Sequence, residues 1–190
     1  VPLSSSHLGI VAEVNELSRE ISAGRVKLEE AEERLEKIEK IPPKKRWFQY
    51  MAAGLASGTF ALMLGSSVLE AVAAFLIGFL SYVWVLFAGK HNLSKIIVNI
   101  VGGVIMTVLA LAFMHIPFLP ILKLDGMMVG AIMPMIPGVA FVNAIRDIAD
   151  TDFLSGLVRM IDALLVFVYI AIGVGVTLSI YNTMMGGILR

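Results

Sequence analysis

Apolar residues recur at helical spacing over residues 6 to 41, with Leu8, Val11, Val14, Leu17 and Ile21 on one stripe and Leu28, Ala31, Leu35, Ile38 and Ile41 on another. The pattern predicts two short amphipathic helices. Ser22, Ala23 and Gly24 interrupt it, Gly24 suiting the left-handed residue past a helix end, and Pro42 and Pro43 stop the second helix. Residues 1–46 therefore read as a cytoplasmic helical hairpin whose Glu- and Lys-rich face is solvated, with partner docking as the sharper alternative.

After Lys44, Lys45 and Arg46 come five apolar stretches, at 47–64, 68–88, 96–114, 126–145 and 160–185. Each is near the ~20 residues that cross a ~30 Å hydrocarbon core. The expected fold is all-α: a polytopic helical membrane protein whose five transmembrane helices occupy residues 47–190. Trp47 and Tyr50 open the first stretch, where an aromatic belt sits.

Composition agrees with that pattern. Hydrophobic residues make up 58% of the 190 and charged ones 16%, against about 45–50% and about 25% in soluble domains. Of the 30 charged side chains, 18 lie in residues 1–46, nine of each sign. A net charge of zero gives no footing for a nucleic-acid partner. With no Cys there is no disulfide, thiolate zinc site or Cys nucleophile. His7, His91 and His115 lack zinc-type spacing, and no metal or cofactor is expected. The first residue is Val, so the natural start of the chain is expected upstream.

Lys and Arg in short loops set orientation. With the N-terminus inside, Lys44, Lys45, Arg46, Lys90, Lys95, Arg146 and Arg159 are cytoplasmic, and only Lys123 and Arg190 are outside. Five crossings then leave the C-terminus outside a plasma membrane of the bacterial or archaeal inner type. A homologous second module attached there would be inverted, a common plan among secondary transporters.

The most informative stretch is residues 126–147. Pro134 and Pro137 lack an N–H, which frees the carbonyls of Gly130 and Met133, and Gly138 adds backbone freedom. The fourth helix should break at Pro134-Pro137-Gly138, about 16 Å from Gly126 and so near the bilayer midplane. Irregular backbone at that depth is tolerated where protein buries it or it lines a wet cavity. With Pro137 as first residue of a new half-helix, the N–H groups of Gly138, Val139 and Ala140 would face a carboxylate, and the freed carbonyls an ammonium. A kink that serves only packing is the alternative.

Asn143, Arg146 and Asp147 follow within a few turns, with Asn143 and Asp147 on one face. They suggest a polar mouth in which Arg146 attracts carboxylates and Asp147 is proton-linked; the alternative pairs Arg146 with Asp150 to end the span. Glu70, Asp162 and Asn99 are further coupling candidates, as intramembrane polar groups are by default. Glu70 and Asp162 also fit a hydrated interface, and Asn99 fits interhelical glue. Gly54 with Gly58, and Gly126 with Gly130, form GxxxG pairs read as packing, and the 11 Met residues as adaptable filling. No enzyme is expected. Ser57 and His115 sit at different depths, and no GxGD occurs.

The runs LGIVAEVNELSREI (residues 8–21), AEERLEKIEK (31–40) and above all MPMIPGVAFVNAIRDIADTDFLSGLVRMIDALL (133–165) resemble the N-terminal module of the threonine/serine exporter, ThrE-like, family. The likeness implies an exporter of threonine and serine, or of dicarboxylates such as succinate in two-component relatives. It also implies the larger component of a two-component exporter, working with a second small membrane subunit, or else a truncated piece of a fused single-chain exporter, with a homo-oligomer compatible. The family's proline-glycine break maps onto Pro137 and Gly138, and its polar run onto Asn143, Arg146 and Asp147. A non-transporting scaffold or signalling subunit is the other function class.

Overall fold

The computed structural model describes residues 8–40, 45–116 and 122–185, and all regular structure among them is helical. Contacts divide the chain into two compact units, Val1–Arg46 and Trp47–Arg190.

The first unit holds α1 (Leu8–Ser22) and α2 (Leu28–Glu39). α1 ends where the Ser22 hydroxyl donates to the Ser18 carbonyl at 2.8 Å and Gly24 takes φ +66°, a left-handed conformation that a Cβ would strain. Leu17, Ala31 and Ile38 form a small core, with Ile10 and Val26 packed on it. Arg34 of α2 reaches Glu20 of α1 at 2.6 Å and Glu30 at 3.2 Å. Two helices bury only the positions that face each other, so Val11, Val14, Ile21 and Leu35 of the apolar stripes stay exposed. Ile41, Pro42, Pro43 and Lys44 lie outside the described residues.

The second unit is built from α3 (Arg46–Met63), α4 (Val68–Lys90), α5 (Lys95–Met114), α6 (Leu124–Ile132), a 3-10 turn (Met133–Met135), α7 (Gly138–Ala149) and α8 (Phe153–Met184). Among the described residues α4, α5 and α8 are long and apolar enough to cross a membrane, and α6 with α7, bent by 61°, makes a fourth if counted as one broken span. The sequence pattern suggested five. α3 accounts for the difference: it has 18 residues, but Arg46, Gln49, Gly54, Ser57, Gly58 and Thr59 dilute its apolar character. The fifth stretch also begins early, at Phe153, because the Asp152 side chain accepts the Ser155 N–H and starts α8 just after the turn at 150–152.

Small residues let these helices approach closely. In lipid, helix association rests on van der Waals contact and hydrogen bonds rather than on a hydrophobic drive. A Cβ on Gly54 or Gly58 of α3 would lie 3.0 Å from the carbonyl oxygen of Phe75 or Ala71 on α4. One on Gly130 of α6 would lie 2.6 Å from the Ser57 carbonyl of α3. α5 and α8 meet at Gly103 and Gly173, where added Cβ atoms would sit 2.7 Å and 2.1 Å from the carbonyls of Ile170 and Ile100. Ile77, Met106, Met127, Val166 and Ile170 fill the core between α4, α5, α6 and α8.

Candidate functional site

Pro134 and Pro137 break the helix, and the chain responds by tightening. Met133 donates its N–H to Gly130, Ile136 to Met133 at 3.2 Å, and Gly138 to Ile136 at 2.8 Å. The carbonyls of Gly130 and Met133, expected to be free for an ammonium, are thus occupied, because a 3-10 turn brings the next available N–H one residue closer. The Gly138 N–H is taken too. Pro137 (φ −78°, ψ 55°) is the cap of α7 and Gly138 its first residue, one place later than the sequence suggested. Phe141 donates to Pro137 at 3.0 Å, which leaves the N–H groups of Val139 and Ala140 without a partner among the described residues.

The break lies well inside the span of α5. The Met135 side chain covers Gly102, where an added Cβ would meet its Cε at 2.5 Å. Trp84 stands beside it and donates its indole N–H to the Val98 carbonyl at 3.0 Å. Gly102 is about 10 Å from the start of α5 and about 18 Å from its end at helical rise. On the other side the break is open: beyond its chain neighbours and its own helix backbone, no atom lies within 4 Å of a Cβ placed on Gly138, and Val139 is 78% exposed.

The polar run continues along α7. Asn143 is half-buried and Arg146 exposed. Arg146 does not pair with Asp150; instead the half-buried Asp147 lies 2.9 Å from Nη1 of Arg159 on α8. Asp162, one turn further along α8, pairs with Lys95 at the start of α5. Asn99 is buried and turns its amide back to the Lys95 carbonyl at 2.7 Å, within its own helix. The broken span that opens these groups to one end of the unit falls within a stretch, residues 2–181, matched by the model of the ThrE family, described as "Putative threonine/serine exporter".

The chain belongs to the ThrE family. No curated protein and no solved structure matches it. Membership together with the apolar helices makes this ThrE chain a multi-pass membrane protein of an exporter family that handles small molecules.

The four coupling candidates of this ThrE chain fall in two places. Asp147, Asp162 and Asn99 share one end with Lys95 and Arg159, along one flank of α8. Glu70 belongs to the opposite end, where the α3–α4 turn meets the start of α6. It is buried, and its two oxygens accept the Ser67 N–H at 2.7 Å and the Lys123 N–H at 2.8 Å. With the Ser67 hydroxyl accepting the Glu70 N–H it completes a capping box, so it ties α4 to α6. Arg159 and Lys95 were counted from sequence only as loop cations. Spacing does not mark them: Arg159 and Asp162 at i,i+3 suggest a pair with each other, whereas Arg159 meets Asp147 and Asp162 meets Lys95. Among the described residues no group of three or more His, Asp or Glu side chains is arranged to hold a metal ion.

Proposed function

We propose that this chain is a subunit of a secondary transporter that exports small carboxylate-bearing metabolites, threonine and serine first and a dicarboxylate such as succinate as the alternative cargo. The observation that carries the reading is the broken α6–α7 span, with the unpaired N–H groups of Val139 and Ala140 at the positive end of α7, open to their surroundings. Arg146, exposed two turns further on, draws the carboxylate toward them. Asn143 and Asp147 offer the polar partners that the occupied carbonyls of Gly130 and Met133 do not. Asp147, Asp162 and Asn99 are the groups through which a coupling ion or proton acts.

In this reading α3 is a fifth crossing, since 18 residues reach about 27 Å. The α1–α2 hairpin and the α7–α8 turn face the cytoplasm, the C-terminus lies outside the plasma membrane, and a second small membrane subunit or a second copy completes the pathway. The protein acts as a transporter rather than an enzyme. The satisfied carbonyls of the break favour one rival, a packing kink in a non-transporting scaffold or signalling subunit.

Export from proteoliposomes loaded with labelled L-threonine or succinate tests this, with the chain alone and with a second subunit. Gly138→Val is a clean probe because the space around it is open, so the variant should fold normally yet lose most export by crowding the solute. Arg146→Gln should raise the half-saturating concentration more than it lowers the maximal rate. Unchanged export in both variants would return the break to packing, and the absence of any export in every combination would favour the scaffold.

A further inference from the structure

The end of the unit opposite the α7–α8 turn holds a pocket of about 660 Å³ that the break does not use. Its walls are the α3–α4 turn and the first turn of α6, lined by Leu64, Ser66, Leu69, Glu70, Lys123 and Asp125 among others. Glu70 forms its fixed part. By accepting one backbone N–H from each wall, Ser67 at 2.7 Å and Lys123 at 2.8 Å, this buried carboxylate holds the two walls in register before any solute arrives. Gly126 lets α6 come close: an added Cβ would stand 2.7 Å from the Ser66 hydroxyl and 3.3 Å from Glu70 Oε2.

The remaining charges are not used in this way. Lys123 and Asp125 are exposed, and neither forms an ion pair among the described residues. The pocket therefore presents the Lys123 ammonium, whose charge also acts on Glu70, and the Asp125 carboxylate two residues away, with a hydroxyl at Ser66 and apolar surface at Leu64 and Leu69. Counting Glu70, its formal charge is one negative. That sum opposes a dianion and suits a small zwitterion, whose carboxylate meets Lys123, whose ammonium meets Asp125, and whose short side chain lies against leucine and serine.

We propose that this pocket is a second solute site, selective for small zwitterionic amino acids over dicarboxylates. In the orientation proposed above it faces outside, as an exit site on the path that begins at α7; that placement rests on the transporter reading, whereas the binding itself does not.

Equilibrium binding of labelled L-threonine, L-serine and succinate to the purified full chain in lipid nanodiscs tests it. In the Gly138→Val chain, whose α7 site is crowded, threonine and serine should still bind, and succinate should bind at least about tenfold more weakly. Added to that chain, Lys123→Gln and Asp125→Asn should each weaken threonine binding by about five- to thirty-fold. Asp150→Asn, an exposed carboxylate elsewhere, should leave it unchanged, and thermal unfolding of every variant should match the parent. Succinate binding as well as threonine in the Gly138→Val chain would overturn the charge argument. Threonine binding that survives both pocket variants but falls in Arg146→Gln would place the solute at α7 alone and overturn the second site while leaving the transporter reading intact. No threonine or serine binding at all would also overturn it, with export from proteoliposomes still reporting separately on transport.

Discussion

Replacing Gly173 by alanine should destabilise the second unit, while the same change at Gly175, two residues along α8, should not. A Cβ at Gly173 would stand 2.1 Å from the Ile100 carbonyl oxygen and 3.0 Å from the Val104 nitrogen, where ordinary contact begins at 3.4 Å. The two helices would have to separate by about 1.3 Å at this crossing. Both obstructing atoms are backbone, so no side chain can rotate away, and α5 would lose contact along much of the line it shares with α8. Overpacking of this kind costs about 1–3 kcal/mol and occasionally more, and the rigidity of both partners places Gly173→Ala at the upper end. For a chain of this size each kcal/mol shifts the midpoint by about 2–4 °C, which gives a fall of about 6–12 °C. Gly175 has no atom of another element within 4 Å of its would-be Cβ, and alanine is the better helix former by up to about 1 kcal/mol. Thermal unfolding of both variants in one detergent, followed by size-exclusion chromatography, makes the comparison. Equal midpoints for the two variants would refute the claim that the α5–α8 crossing depends on backbone contact at Gly173.

Gly78→Ala should also destabilise, because its Cβ would meet Oγ of Ser57 at 2.0 Å and Cβ of Ser57 at 2.6 Å, and Ser57→Gly should recover about half or more of the loss; unfolding midpoints of the two single variants and the double variant decide it, and simple additivity would count against the contact. Glu70→Gln exchanges one acceptor for a donor facing a backbone N–H, so it should cost about 1–3 kcal/mol, read as a lower unfolding midpoint with protease cleavage appearing near Lys123. Cysteine in place of Arg190 should react with an impermeant thiol reagent in intact cells while cysteine in place of Ser22 should not; the chain has no native Cys to confuse the result, and the reverse pattern would invert the proposed orientation.

Much of the architecture is readable from periodicity and from the chemistry of single residues. Gly24 marks the end of α1 because its left-handed φ is one that side chains avoid, and Pro134 with Pro137 marks the break because neither can donate to the preceding turn. What the break does with its carbonyls is not readable in this way. Whether Gly130 and Met133 are left open or reached by Met133 and Ile136 depends on how tightly five residues coil, and the same prolines allow both. The partner of Asp147 is hidden for another reason: Arg159 is twelve residues away and comes alongside only because the turn at 150–152 folds α7 back on α8. α3 shows the converse, a stretch whose helical form is plain but whose apolar character is diluted by the small and polar residues that pack it against α4.

The length of α8 has a consequence for how the protein meets its bilayer. At 32 residues the helix measures about 48 Å at ~1.5 Å per residue. A slab of ~30 Å crossed at a steep tilt of ~40° accommodates only about 39 Å of helix, so about six residues must project from it. With the apolar stretch from residue 160 onward set in the slab, these are the residues from Phe153 onward, whose apolar side chains Phe153, Leu154, Leu157 and Val158 are exposed. They lie against the α7 end, where Gly156 packs on Ala144 and Ile148. Hydrophobic mismatch at this end would therefore reach α7 as well: a thicker bilayer would draw the projecting turns and α7 into the hydrocarbon, and a thinner one would release both toward the headgroups. Membrane thickness would thereby become a variable acting on the broken span.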